Sequence, residues 1–146
     1  MSCASAGNCV AGGYYYRFGQ RHAFVVSQRN RRWGKAIKVP GTDSNAGGLA
    51  EVLSVSCASA GNCVAGGFYD GMFLPPGQAF LASERHGRWG TAIEVPGTAT
   101  LNTGKSAEVS SVSCNRTGAC TAGGYYETAS TTPPYITSQG FVVSRS

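Results

Sequence analysis

The sequence predicts an all-β protein built from about 2.7 copies of one four-stranded antiparallel unit. Three observations predict it. The twelve residues SCASAGNCVAGG stand at 2–13 and again, unchanged, at 56–67, with a third version, SCNRTGACTAGG, at 113–124. Between these copies, short runs rich in Val, Ile, Phe and Tyr alternate with Gly, Pro, Ser and Asn, the pattern of strands punctuated by turns. Composition agrees: Gly is 21 of 146 residues, charged residues are only 13% and aromatics 10%, which disfavours both a helical bundle and a disordered tail.

The repeat period is 54 residues from Cys3 to Cys57 and 57 from Cys57 to Cys114. It divides the chain into 1–54, 55–111 and a partial third unit, 112–146, within one repeat domain. The second unit displays the elements most fully. A first strand runs over 51–57, with Leu53, Val55 and Cys57 on one face by period-two alternation. After the turn ASAGN comes a second strand at 63–69. Its Gly pair weakens a strand, so it is expected where a neighbouring backbone approaches closely or bends. A variable loop leads to the third strand, 78–85, which aligns with 22–29 and 139–146. The fourth starts at Trp89 and runs to Pro96, where Pro96 and Gly97 stop it. A looser Gly-, Asn- and Thr-rich segment, 97–106, leads onward. The expected inventory is one shortened first strand and ten full ones.

Four antiparallel strands in a unit of this length are the pattern of a propeller blade, with strand one innermost and the Trp-led strand outermost. Ser27 and Ser83 each precede a Trp by six residues, whereas Ser144 has no Trp after it. Three blades cannot close a ring. Arcs of this kind are therefore expected to associate with copies of themselves, two giving a six-bladed and three a nine-bladed ring. The remaining readings are a fragment of a longer ring and a β-trefoil, which also has three repeats. Near-identity between copies fits recent amplification or design.

Six cysteines fall into three C-x5-C pairs, Cys3/Cys9, Cys57/Cys63 and Cys114/Cys120. Zinc knuckles use shorter spacings and gather four ligands. The favoured reading is three local disulfides, each closing a hairpin turn and each worth about 2–2.5 kcal/mol of unfolded-state entropy; buried free thiols are the alternative. Three even pairs point to an oxidising compartment, secreted or at the cell surface, although no signal peptide precedes Ser2.

The pattern V-S-C…C-V-A-G-G…A-F…S-E-R-x-G-x-W-G-x-A-I-x-V-P-G resembles, over essentially the whole chain, a repeat family common in actinobacterial, often exported proteins. That resemblance implies a propeller-like fold and export; it implies no activity for particular residues. More distantly, SERHGRW (83–89) resembles the Asp-box hairpin of sialidase-type propellers, with Arg85 and Arg29 where the aspartate belongs.

Chemistry is sparse. There are seven acids, of which Glu51 and Glu108 are repeat equivalents, and two non-equivalent histidines, His22 and His86. G-x-S-x-G, H-E-x-x-H and P-loop patterns are absent. No enzyme activity, metal or cofactor is expected. The net charge of +5 resides almost wholly in residues 1–54, mostly between Arg29 and Lys38. Such a local cluster is a solvated loop more often than a nucleic-acid stripe. No apolar run reaches ~18 residues, so no membrane-spanning helix is expected.

Binding is the better expectation. The loops between strands two and three carry the aromatics. Tyr14, Phe68 and Tyr125 recur and are read as packing between units. The non-repeating Tyr16, Phe18, Phe73 and Tyr135 are the contact candidates for a glycan or protein ligand. Trp33 and Trp89 are read as packing residues ahead of ligand platforms. The competing class is a structural scaffold whose only partner is itself.

Overall fold

The protein is described by a computed structural model covering residues 1–42, 48–70 and 77–145; it is all-β, with 66% strand and 3% helix. The first repeat holds β1 (Ser2–Ser5), β2 (Asn8–Arg17), β3 (Gln20–Arg29), β4 (Arg32–Trp33) and β5 (Ile37–Lys38). The second holds β6 (Leu49–Ser59), β7 (Asn62–Asp70), β8 (Gln78–Arg85), β9 (Arg88–Trp89) and β10 (Ile93–Glu94). A four-residue helix, α1 (Thr98–Leu101), precedes the third, with β11 (Ala107–Cys114), β12 (Cys120–Ala129) and β13 (Ile136–Arg145).

Each repeat is an antiparallel meander, so its hydrogen bonds are local to the repeat. β1 pairs β2, β2 pairs β3, and β4 and β5 both pair β3. The second repeat copies this, and the third has its first three strands. One parallel bridge, Arg21 opposite Leu49, joins the first two meanders into a ten-stranded sheet. Among the described residues no closed barrel or ring forms.

The three disulfides are the expected ones, Cys3–Cys9, Cys57–Cys63 and Cys114–Cys120, and no free cysteine is left. In each, the two cysteines stand directly opposite one another across the first hairpin.

Two expectations about strands are corrected. Leu53 does not share a face with Val55 and Cys57. A bulge lies between Val52, opposite Gly67, and Ser54, opposite Gly66, so Leu53 has no cross-strand partner. The extra residue resets the alternation: Val52 and Val55 are buried while Leu53 is 39% exposed. The third repeat has the same bulge between Val109 and Ser111. The fourth strand is also not continuous over 89–96. It breaks into β9 and β10, as the first repeat's breaks into β4 and β5, and in the gap the Ala92 amide donates to the Pro40 carbonyl of the preceding repeat, at 2.7 Å. The chain rejoins β8 at Ile93, opposite Leu81, and Val95 continues the pairing by donating to Ala79.

The buried core is two clusters, and each lies between repeats. In the first, Val10, Ala23, Val25 and Val39 meet Ala50, Val52, Val55, Ala65, Phe80 and Ala82 of the second repeat. In the second, Ala79 and Val95, with Val64 and Leu81 beside them, meet Ala107, Val109, Val112 and Ala122 of the third. The middle meander thus buries both faces and reads as near-continuous apolar strand.

The Gly pair of the second strand has two different tasks. Its first member faces the next repeat. A Cβ on Gly12 would lie 2.5 Å from Val52 Cγ1, and one on Gly66 would overlap Val109 Cγ1 and stand 2.9 Å from Val112 Cγ2. Its second member faces its own bulge: a Cβ on Gly67 or Gly124 would strike the carbonyl of Glu51 or Glu108. Gly123, the third counterpart of Gly12 and Gly66, meets only a carbonyl of its own sheet, at 3.6 Å.

Candidate functional site

The first repeat carries an aromatic hairpin between β2 and β3. Arg17 pairs with Gln20, which leaves Phe18 and Gly19 as a two-residue turn. Both have positive φ, 51° and 75°, the condition of the I′ turn that suits hairpin twist. Asn, Asp or Gly normally take the first of these positions, because a larger side chain there costs about 1–2 kcal/mol. Phe18 takes it instead and is 88% exposed. Behind it, Arg17 lies 5.2 Å over the Phe18 ring, and the Tyr14 and Tyr16 rings meet edge-on at 5.6 Å. On the other face Tyr15 sits 5.3 Å from His22 and 6.4 Å from Phe24.

One pair back from the turn, opposite Tyr16, Arg21 ties the first two repeats together. Its guanidinium lies 4.9 Å from the Tyr14 ring centroid and 5.3 Å from that of Phe68, and pairs with Glu51 at 3.2 Å. Tyr14 and Phe68 therefore contribute to a seam between repeats, with a cation between them. Partial burial, then the charges of Lys38 and Arg17, lower the His22 pKa against a hydrogen bond to the Arg17 backbone that raises it. Burial and Arg17 likewise lower that of Lys38.

Of the contact candidates, Tyr16 and Phe18 come together on this hairpin. Tyr135 is 63% exposed in the third repeat and makes no ring contact with them. Phe73 lies outside the described residues. Trp89 packs against the first core, and its Nε1 donates to the Ser27 hydroxyl at 3.3 Å. Trp33 is about half exposed and shares with Trp89 a groove of about 380 Å³, also lined by Arg32 and Lys35.

The junction between the first two repeats has a charged lock that sequence reading missed. Glu84 faces Ser27 and Arg29 of the preceding repeat. Its Oε1 accepts from the Ser27 hydroxyl at 2.9 Å and from Arg29 at 3.2 Å. The carboxylate is almost fully buried, while Arg29 is half exposed and lies against Gly87, where a Cβ would overlap the guanidinium. Glu84 reads as an exposed strand position from its charge, although alternation sets it on the buried face of Phe80 and Ala82. The missing signal is the repeat comparison, since Ser27 and Arg29 recur as Ser83 and Arg85.

No family model and no curated protein matches the chain.

The lock is asymmetric, so its two sides should differ on mutation. Arg29→Ala leaves a buried carboxylate with only a hydroxyl for company and is expected to cost about 2–3 kcal/mol. Glu84→Gln removes the charge and keeps an acceptor for Ser27, and should cost about 1 kcal/mol or less. Urea unfolding of both variants measures the order; equal costs would contradict a buried, paired carboxylate.

Proposed function

We propose that the three meanders are consecutive blades of a β-propeller, and that the protein is a non-catalytic extracellular binding module engaging a glycan or protein through the aromatic hairpin of its first repeat. Successive meanders that hydrogen-bond within themselves and stack face to face support the blade reading over a trefoil, in which hairpins of all three repeats share one barrel. Three disulfides fit an oxidising compartment.

One observation carries the binding reading: Phe18 holds a left-handed backbone and an exposed ring at once. Folding gains only the Arg17 contact from that combination, and local strain with so little structural return marks a site of interaction. Tyr16 and Arg17 beside it supply the mixture of apolar area, hydroxyl and cation that sugar rings and protein surfaces both accept.

A substitution separates the two roles of the turn. Phe18→Asn places Asn-Gly in an I′ turn and should stabilise the fold by about 1 kcal/mol. The same change should abolish the retention of ligand on a glycan array or in a pull-down that the unaltered protein gives. A variant that gains stability and keeps its ligand would refute the hairpin as the binding element.

A second reading, self-assembly, is favoured by a specific repeat in the junctions. Ser2 Oγ accepts from the Cys57 amide at 3.1 Å, and its counterpart Ser56 Oγ accepts from the Cys114 amide at 2.9 Å. The next member of the series, Ser113, is exposed, on the meander whose Gly123 has no valine against it. At the opposite end Phe24 is only half-buried, whereas Phe80, its equivalent, is fully buried. A second copy placed head to tail continues both series, with its own Cys3 amide on Ser113. Sedimentation equilibrium should then give two or three times 15.1 kDa, and Gly123→Val should return the monomer. A monomer at every concentration would remove this reading.

A further inference from the structure

We infer a carboxylate-binding site at the junction of the second and third repeats, where the protein presents the donors of the Glu84 lock without the carboxylate. The argument is a comparison of two equivalent places. Glu84 stands opposite Cys63 across its sheet, and Arg145 stands opposite Cys120 in the same register. Arg145 therefore occupies in the third repeat the position that Glu84 holds in the second. Across the junction the partners are unchanged in kind: Ser27 and Arg29 in the first repeat become Ser83 and Arg85 in the second.

The acceptor has thus become a third donor. Where Ser27 and Arg29 close on a carboxylate and leave almost no space, Ser83, Arg85 and Arg145 line an open groove of about 500 Å³. Arg116 and His86 border the same groove, and Arg88 joins Arg85 and Arg145 along its continuation. None of these four arginines is ion-paired among the described residues, and the Ser83 hydroxyl has no hydrogen-bond partner there. The one acid on the groove, Glu84, is already held by Arg29.

Like charges lining one concave groove repel each other and attract an anion, although all four arginines are exposed. At Glu84 one guanidinium nitrogen and a hydroxyl both donate to a single carboxylate oxygen, Oε1, and an incoming carboxylate would meet the same two kinds of donor here. The volume suits a small organic acid. This site is separate from the aromatic hairpin and does not depend on its function.

Acetate is the probe, titrated at constant ionic strength against chloride and followed by backbone and Arg side-chain NMR shifts. Saturable shifts at Ser83, Arg85 and Arg145 are expected in the unaltered protein. Arg145→Glu supplies the carboxylate from the chain itself and should weaken the acetate response about tenfold or more, while raising the melting temperature. Arg145→Gln should weaken it without that rise, which covers the case in which the glutamate variant misfolds. Phe18→Asn should leave the acetate response unchanged. A response to acetate no greater than to chloride, or one that survives both Arg145 variants, overturns the site.

Discussion

The close approach of successive meanders is the constraint on which the rest of the structure depends. Each meander's ladder hydrogen bonds stay within its own repeat except for one parallel bridge, so side-chain packing and a few cross-junction bonds hold one repeat to the next. Val52 and Val55, then Val109 and Val112, press into the space left by Gly12 and Gly66. A bulge makes this contact. Without the extra residue at Leu53, alternation would send Val52 and Val55 to opposite faces. The bulge in turn requires the second glycine of the pair, because the Glu51 carbonyl occupies the place of a Cβ at Gly67. Two glycines, one bulge and two valines are one device, used twice.

Function is then a matter of what varies on a fixed frame. The disulfide hairpin, the glycine pair and the valines recur because the junction demands them. The turn between the second and third strands is under no such demand, and in the first repeat it carries Tyr16 and Phe18 to solvent. The junction charges also vary. Glu84 closes one junction with Ser27 and Arg29, and Arg145 leaves the equivalent place in the next lined by donors. A repeat protein can change what it binds at such positions without disturbing the packing that builds it.

The repeats, the all-β class, the disulfide pairing and the three main strands of each unit were legible because each leaves a local mark: an identical dodecapeptide, a fixed Cys spacing, alternating apolar runs. The expectation that a glycine pair marks close approach was also legible, though not that its two members face different neighbours. The bulge was not, since Leu53 is as apolar as Val52 and only the register tells them apart. The split of the fourth strand, present in both full repeats, leaves no mark in the sequence, and the Ala92 amide it frees finds a carbonyl, that of Pro40, more than fifty residues away. The positive groove was hidden for a related reason. Counting charge along the chain places the excess between Arg29 and Lys38, whereas Arg85, Arg88, Arg116 and Arg145 gather only when two repeats stack. Of the aromatic candidates, Tyr16 and Phe18 were legible as non-repeating residues; the strain at Phe18 needed the backbone.

The most direct measurement of the central contact is a double-mutant cycle on Gly66 and Val109 by urea unfolding. Gly66→Ala alone crowds the junction and is expected to cost about 1–3 kcal/mol, and Val109→Ala alone opens a cavity. Together the added methyl occupies the vacated space, so the pair should be less costly than the two separate losses combined by more than about 1 kcal/mol. Costs that simply add, within about 0.5 kcal/mol, would mean that these residues do not touch and that the repeats are not stacked as described.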